Sequence, residues 1–132
     1  MKWQEFEEFV REVFNKHGYE TKFRVVFKDS EGRGEIDVVA ERFGLILAID
    51  AKKYTEGWHR TSALKTQARK HVDRCKRFSE LKGSEVIPII VSFIDDSIFY
   101  HSGCIVVPFE KLNDFLLNIH AYLIDFNESE DR

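Results

Sequence analysis

The chain has 132 residues, the length of one ordinary domain, and 43% of them are hydrophobic, enough for a core without disulfides or structural metals. A net charge of -3 and a pI near 6.0 argue against a generally basic nucleic-acid coat protein. No apolar run approaches the ~18 residues of a membrane span, and no basic-then-apolar leader is visible. We therefore expect one cytoplasmic domain over residues 1–126, a polar tail over 127–132, and no membrane contact.

The N-terminal segment has the pattern of an amphipathic helix. Apolar side chains recur at helical spacing from Trp3 to Phe14, and the pattern ends at Gly18. Aromatic and β-branched residues over 21–28 then predict a strand. The polar stretch 29–34 contains two glycines and predicts a mobile loop.

The middle of the chain predicts a hairpin followed by a long helix. Residues 35–41 and 45–52 are strand-like and flank a short turn over 42–44, which is typical of an antiparallel hairpin. A second helix is expected to start near Thr61 and to stop at Gly83. Its buried stripe would comprise Leu64, Ala68, Val72, Cys75 and Phe78.

The C-terminal third predicts three more strands and a helix. The strand-like runs are 85–93, 98–100 and 104–107, and helical spacing returns over 109–124. Because a helix connects the hairpin to the next strand, that connection favours a parallel strand pair. The fold class expected is α/β, a mixed sheet flanked by helices.

The two cysteines favour a reducing environment. Neither Cys75 nor Cys104 belongs to a CxxC pair, and they fall in helical and strand-like segments respectively. We expect two buried free thiols rather than a disulfide framework or a zinc site.

The predicted hairpin presents three carboxylates and one amine to a single patch. Alternate residues of a strand share a face, so Glu35 and Asp37 project together on one strand, and Asp50 and Lys52 on its neighbour. Asp50 follows the apolar run 45–49, where a buried ionised group costs several kcal/mol unless a metal or a charge compensates it. Glu35 is interpreted as a solvent-facing residue outside the core of the site.

This arrangement predicts a divalent-metal site and no organic cofactor. Mg2+, or Mn2+ in its place, prefers oxygen ligands, which Asp37, Asp50 and the backbone carbonyl of Ala51 would supply. Lys52 would orient or deprotonate a water and offset negative charge on phosphorus oxygens. On the first helix, Glu7 lies nearest the core boundary and is the fourth candidate, as a metal ligand or through a bound water.

The hairpin also resembles a known signature. Residues 34–40, GEIDVVA, followed by 45–54, LILAIDAKKY, resemble the PD-(D/E)XK nuclease motif. Asp37 matches its first acid, and Asp50-Ala51-Lys52 matches its (D/E)XK element. The resemblance implies a restriction-endonuclease-like fold and a metal-dependent endonuclease that hydrolyses DNA and leaves a 5'-phosphate.

The flanking helices resemble particular branches of that superfamily. Residues 6–10, FEEFV, with Gly18-Tyr19 are similar to the opening of Mrr-type restriction endonucleases and archaeal Holliday junction resolvases, whose helical glutamate points to Glu7. Gln67 resembles the glutamine on the helix that follows the hairpin in Mrr-type enzymes, which implies a role at the site. A resolvase would act as a dimer, so a homodimer is left open.

The second helix has a local excess of basic residues, which suits contacts to DNA phosphates but is also common on solvated helix faces. The candidate DNA contacts on it and just before it are Lys53, Arg60, Lys65, Arg69, Lys70 and Arg74. Three alternatives stay open: a Holliday junction resolvase, a non-catalytic nucleic-acid-binding module of the same fold, and a structural interaction protein.

Overall fold

The computed structural model describes residues 3–52, 60–93 and 97–129. The helices are α1 (Trp3–Lys16), α2 (Arg60–Lys82), α3 (Leu112–Leu117) and α4 (Ile119–Glu128), with a 3-10 turn, Phe109–Lys111, before α3. The strands are β1 (Glu20–Asp29), β2 (Gly32–Arg42), β3 (Leu45–Lys52), β4 (Ile87–Ser92), β5 (Phe99–His101) and β6 (Cys104–Pro108). This order matches the predicted succession of elements as far as β6.

The six strands within the described residues form one mixed sheet in the order β1-β2-β3-β4-β6-β5. Short turns join β1 to β2 and β2 to β3, so these strands pair antiparallel. The connection from β3 to β4 runs through α2, and this crossover makes β3 and β4 parallel. The predicted mixed α/β sheet is confirmed.

The sheet lies between two layers of helices. Side chains of α1, α3 and α4 pack with one sheet face, in a cluster that includes Phe6, Phe14, Leu47, Ile49 and Phe115. The helix α2 covers the opposite face, where Cys75 packs with Ile46 and Ala48, and Ala68 with Ile90. Alternate residues of β3 therefore face opposite helix layers, as strand geometry requires.

The predicted loop over 29–34 is wrong. The strand β1 continues to Asp29 and β2 begins at Gly32, which leaves a two-residue turn between them. Asp29 Oδ1 accepts a hydrogen bond from the Glu31 N–H, an interaction that stabilises a turn locally. Gly32 suits the end of this turn, since its φ is 112°.

The single helix predicted over 109–124 is also wrong. It is divided into the 3-10 turn, α3 and α4, with the break at Asn118. The Asn118 side-chain amide donates to the Asp114 carbonyl at 3.0 Å, and such side-chain bonds compete with helix continuation. The second part, α4, then extends to Glu128, two residues into the predicted tail.

Two further predictions concern the cysteines and membrane-spanning helices. Cys75 and Cys104 are both free and buried, as predicted. Among the described helices, none combines the length and apolar character that a membrane crossing needs.

Candidate active site

The site lies where β2 and β3 separate. Their pairing ends at Val38 and Ile49, and the same register places the next residues, Asp37 and Asp50, across from each other beyond the last pair. The strands therefore present two carboxylates at the mouth of the gap between them. The hairpin turn sets this register, which is why the sequence was sufficient to predict the juxtaposition.

Asp50 is a buried carboxylate with two cations beside it. It is 4% exposed and lies on the face of β3 that packs against α2. Its Oδ2 atom lies 3.1 Å from Lys52 Nζ and 3.6 Å from Arg74 Nη2. Neither Asp50 Oδ2 nor Arg74 Nε has a hydrogen-bond partner within the described parts of the chain. The compensation predicted for Asp50 is thus supplied by charge, and its Oδ2 atom makes no well-directed hydrogen bond within the described residues.

Asp37 is held close to Asp50 and is hard to ionise. Its Oδ2 atom accepts a hydrogen bond from the Ala51 N–H at 3.1 Å. Burial first, and then the hydrogen bond and negative charge of Asp50, raise the pKa of Asp37 to about 6 against the opposing effects of Ala51 N–H and Lys52. Two adjacent carboxylates resist simultaneous ionisation, and a bound divalent cation would relieve that repulsion.

Glu7 faces the same site from α1, paired with an arginine of β1. Arg24 lies opposite Asp37 in the register of β1 and β2, where the two strands lack a ladder pair, and its φ of 51° is unusual for a non-glycine residue. Arg24 Nη2 donates to Glu7 Oε1 at 2.7 Å, and the Glu7 side chain is 20% exposed. With Glu35 and Asp37 they line a cavity of about 220 Å³.

A cleft of about 530 Å³ opens on the α2 side of Asp37. Its walls come from the β1–β2 turn, β2 and α2. They carry charges of both signs, from Glu31, Arg33, Glu35, Asp37, Lys70, Asp73, Arg74 and Arg77. Arg77 is bound to the β1–β2 turn, because its guanidinium donates to both Asp29 carboxylate oxygens at 2.9 and 2.6 Å and to Gly32 O at 2.8 Å. This clamp fixes one wall of the cleft and lowers the pKa of Asp29.

His71 anchors α2 to β3 beneath the site. Its ring is fully buried, and the Nε2 atom lies 2.9 Å from the carbonyl oxygen of Ala48. Burial lowers the pKa of His71 to about 4, so the ring is neutral at neutral pH and Nε2–H donates to Ala48 O. This contact joins α2 to β3 close to the site. His71 lies about one helical turn before Arg74, and Ala48 lies two residues before Asp50. The sequence indicates that His71 is buried, because it lies between Ala68 and Cys75 on the apolar face of α2.

The donor set fits a cation that keeps several waters. Within the described residues no group of three or more His, Cys, Asp or Glu side chains is arranged to hold a metal ion. Asp37 and Asp50 do lie together, and Asp50 Oδ2 is a buried oxygen without a hydrogen-bond partner there. Mg2+ is commonly bound by one or two carboxylates with water completing its shell. Both carboxylates could therefore hold it.

Comparison with known families assigns this arrangement to a class. The restriction endonuclease family model Mrr_cat matches residues 1–78, more than half of the chain. The chain belongs to this restriction endonuclease family. The matched segment contains Glu7, Asp37, Asp50 and Lys52, so every predicted catalytic acid and the lysine lie in it. The mixed sheet flanked by helices is accordingly restriction-endonuclease-like, and the domain is of the nuclease type.

Two known proteins are similar to this restriction endonuclease domain, one in sequence and one in structure. An uncharacterized protein of Archaeoglobus fulgidus is 56% identical over 126 residues, covering 96% of this chain and 98% of that protein. The crystal structure of the protein of unknown function AF1548 superposes with a TM-score of 0.52 at 27% identity, over 64% of this chain. The match covers 43% of that structure, so this chain spans less than half of its length.

The other residues predicted to act at the site or to contact DNA lie partly at the cleft and partly away from it. Gln67 is half-buried on α2 and is not among the described residues that line the cleft or the cavity beside Glu7. Lys65, Arg69 and Lys70 are exposed on α2, and of these Lys70 lines the cleft. Two predicted contacts, Lys53 and the Arg60 side chain, lie outside the described residues.

Two functional candidates were missed by sequence reasoning or given another role. Arg24 was not predicted; it has a positive φ on β1 and donates to Glu7 across 17 residues of sequence. Arg74 was predicted as a DNA contact, and it lines the cleft, but the position of its guanidinium beside the buried Asp50 was not predicted. Neither placement has a local signal in the sequence.

Proposed function

We propose that this chain is a Mg2+- or Mn2+-dependent endonuclease of the PD-(D/E)XK type that hydrolyses DNA and leaves a 5'-phosphate. The observation that supports the proposal most is the pair Asp37 and Asp50, set across from each other where β2 and β3 separate, with Lys52 Nζ 3.1 Å from Asp50. The open cleft is lined by Asp37, so a DNA strand lying in it would be next to this carboxylate. Membership of a restriction endonuclease family supports the same chemistry.

Each residue has a defined task in this proposal. Asp37 and Asp50 would hold the cation, together with the Ala51 backbone carbonyl, and Glu7 would act from α1 directly or through a water. When bound, Mg2+ polarises the phosphoryl oxygen and lowers the pKa of water. Lys52 would orient the attacking water and stabilise negative charge on the phosphorus oxygens. Lys70 and Arg33, which line the cleft, would contact neighbouring phosphates.

A second candidate is a non-catalytic DNA-binding module of the same fold. Asp50 was expected to require compensation, and the structure places Lys52 and Arg74 beside it. Burial of Asp50 therefore does not by itself demand a metal. The raised pKa of Asp37 argues for catalysis, because a module that only binds DNA gains nothing from two carboxylates that repel each other.

The test is cleavage of supercoiled plasmid and of a synthetic four-way junction in Mg2+, Mn2+ or EDTA. We expect metal-dependent cutting that is lost in Asp50→Asn and Lys52→Met, with products that a ligase reseals without prior phosphorylation. Preference for the junction would instead identify a resolvase. Lys76→Gln is the matched control, since Lys76 is exposed on α2 and lines a different cavity, so this variant should cut like the wild type.

Two outcomes would contradict the proposal. Metal-independent DNA binding without any cutting would favour the non-catalytic module. Cutting that persists in both active-site variants would indicate a contaminating nuclease or a different site. DNA affinity in EDTA, measured for the same variants, distinguishes a lost reaction from a lost substrate contact.

A further inference from the structure

Arg74 has surroundings that a simple DNA contact does not explain. Its side chain is 29% exposed, Nη2 lies 3.6 Å from Asp50 Oδ2, and Nε is buried without a hydrogen-bond partner among the described residues. The same residue lines the cleft beside Asp37 and Lys70. Arg74 therefore stands between a buried carboxylate and the surface on which a DNA strand would lie.

The contact between Arg74 and Asp50 is electrostatic and loosely oriented. At 3.6 Å the two groups attract each other, but neither Asp50 Oδ2 nor Arg74 Nε completes a hydrogen bond in the described chain. Strong arginine–carboxylate pairs are bidentate and shorter, as the Arg77–Asp29 pair shows with distances of 2.9 and 2.6 Å. Arg77 and Arg74 both lie on α2, but only Arg77 is held by two short hydrogen bonds to a carboxylate.

The position next to Asp50 is also one that a divalent cation would need. Asp50 Oδ2 already has Lys52 Nζ at 3.1 Å, so Arg74 is a second cation on the same oxygen. A cation held by Asp37 and Asp50 would repel both, and Arg74 has the cleft to turn into. A planar guanidinium suits a phosphate there, because it binds two phosphate oxygens at once.

We propose that Arg74 is an exchangeable counter-ion of the active site: it neutralises Asp50 in the metal-free protein and turns to a substrate phosphate in the cleft when a divalent cation binds. This inference rests on the proposed function, since it assumes that Asp37 and Asp50 hold a metal. It makes Arg74 a residue whose contact with DNA depends on the metal. It also explains why the buried Asp50 tolerates the absence of metal.

The first test measures metal affinity without turnover. Titration calorimetry with MnCl2 should show that Arg74→Gln binds Mn2+ about tenfold more tightly than the wild type, because a competing positive charge is removed. Arg74→Lys retains that charge and should bind Mn2+ like the wild type. Lys76→Gln removes a charge of the same sign from the exposed surface of α2 and should leave Mn2+ affinity unchanged.

The second test measures binding of a fluorescein-labelled DNA duplex by anisotropy, in EDTA and in Ca2+. Arg74→Gln and Arg74→Lys should weaken binding in Ca2+, since neither side chain reproduces the guanidinium fork, and leave binding in EDTA nearly unchanged. Arg74→Lys thus separates the two halves of the proposal, with normal Mn2+ affinity and weakened binding of DNA in Ca2+. It is also the more conservative variant should Arg74→Gln fold poorly.

The outcomes are distinguishable. Equal or weaker Mn2+ binding by folded Arg74→Gln overturns the inference, because a purely structural role can lower metal affinity but does not raise it. Equal loss of DNA affinity in EDTA and in Ca2+ also overturns it and leaves Arg74 as an ordinary phosphate contact. Failure of the wild type to bind Mn2+ overturns the metal-dependent function as well.

Discussion

Replacement of Asp37 by asparagine should stabilise the metal-free protein while it abolishes nuclease activity. The Asp37 pKa is raised from 3.8 to about 6, chiefly by burial and then by Asp50. Between these two pH values the folded state holds a proton that the unfolded state has lost, so stability falls as the pH rises through this window. Above about pH 6 the full cost of the ionised carboxylate remains. The side chain of asparagine carries no charge and avoids that cost.

The magnitude follows from the same shift. A rise from 3.8 to about 6 corresponds to about 3 kcal/mol at about 1.4 kcal/mol per pH unit. Because the Asp37 side chain remains partly exposed, solvent screening reduces this, and we expect roughly 1.5 kcal/mol. An asparagine can still accept from the Ala51 N–H and can donate to Asp50, so the exchange should cost little in packing.

The assay is urea unfolding in EDTA at about pH 4 and about pH 8, comparing Asp37→Asn with the wild type. The stability gain should be near zero at the lower pH and largest at the higher one. Glu35→Gln is the matched control, since Glu35 lies on the same strand with 41% of its side chain exposed, and its effect should stay within about 0.5 kcal/mol. A gain that is absent at about pH 8, or equal at both pH values, would refute the reasoning.

Three further predictions concern neighbouring residues. Lys52→Met should lower the cleavage rate by roughly 10² to 10⁴, with DNA affinity in EDTA retained, as gel assays and anisotropy would show. Gly34→Ala should lower the free energy of unfolding by roughly 2 kcal/mol, because an added Cβ would lie 2.3 Å from Phe27 Cζ, and Phe27→Leu in the same chain should restore part of it. His71 resonances should not titrate in NMR spectra above about pH 5, since its pKa is lowered to about 4. Stability from the neutral His71 ring is therefore complete above about pH 6.5 and lost as the pH falls toward about 4, and a ring that titrates near pH 6.5 would contradict its burial.

The opposed carboxylates were predictable because short-range rules determine them. Strand alternation assigned Asp50 and Lys52 to one face, and the short turn between the strands set the register that brings Asp37 opposite Asp50. The acid within an apolar run marked the strand end where the site lies. Helical periodicity selected Glu7 among its neighbours, and the structure places it on the same cavity as Asp37.

The arginines were not predictable because long-range contacts determine their roles. Arg74 meets Asp50 only because α2 packs on β3 in the register that the His71 contact to Ala48 O fixes. The two-residue β1–β2 turn was likewise mistaken for a loop, since part of its support comes from Arg77, distant in sequence. Glycine and polar residues are typical of both tight turns and long loops, and composition does not separate them.

The basic count of α2 therefore overstates the charge available to DNA. Arg77 is bound to Asp29 and the β1–β2 turn, and Arg74 stands beside Asp50, so both balance carboxylates of the protein itself. Lys65, Arg69 and Lys70 remain exposed on that helix. An arginine paired with a carboxylate of the protein is not available to a DNA phosphate, although a count of basic residues in the sequence includes it. If Arg74 is released only when a metal binds, the cleft gains one positive charge at the moment the acids are neutralised, which couples DNA binding to metal binding.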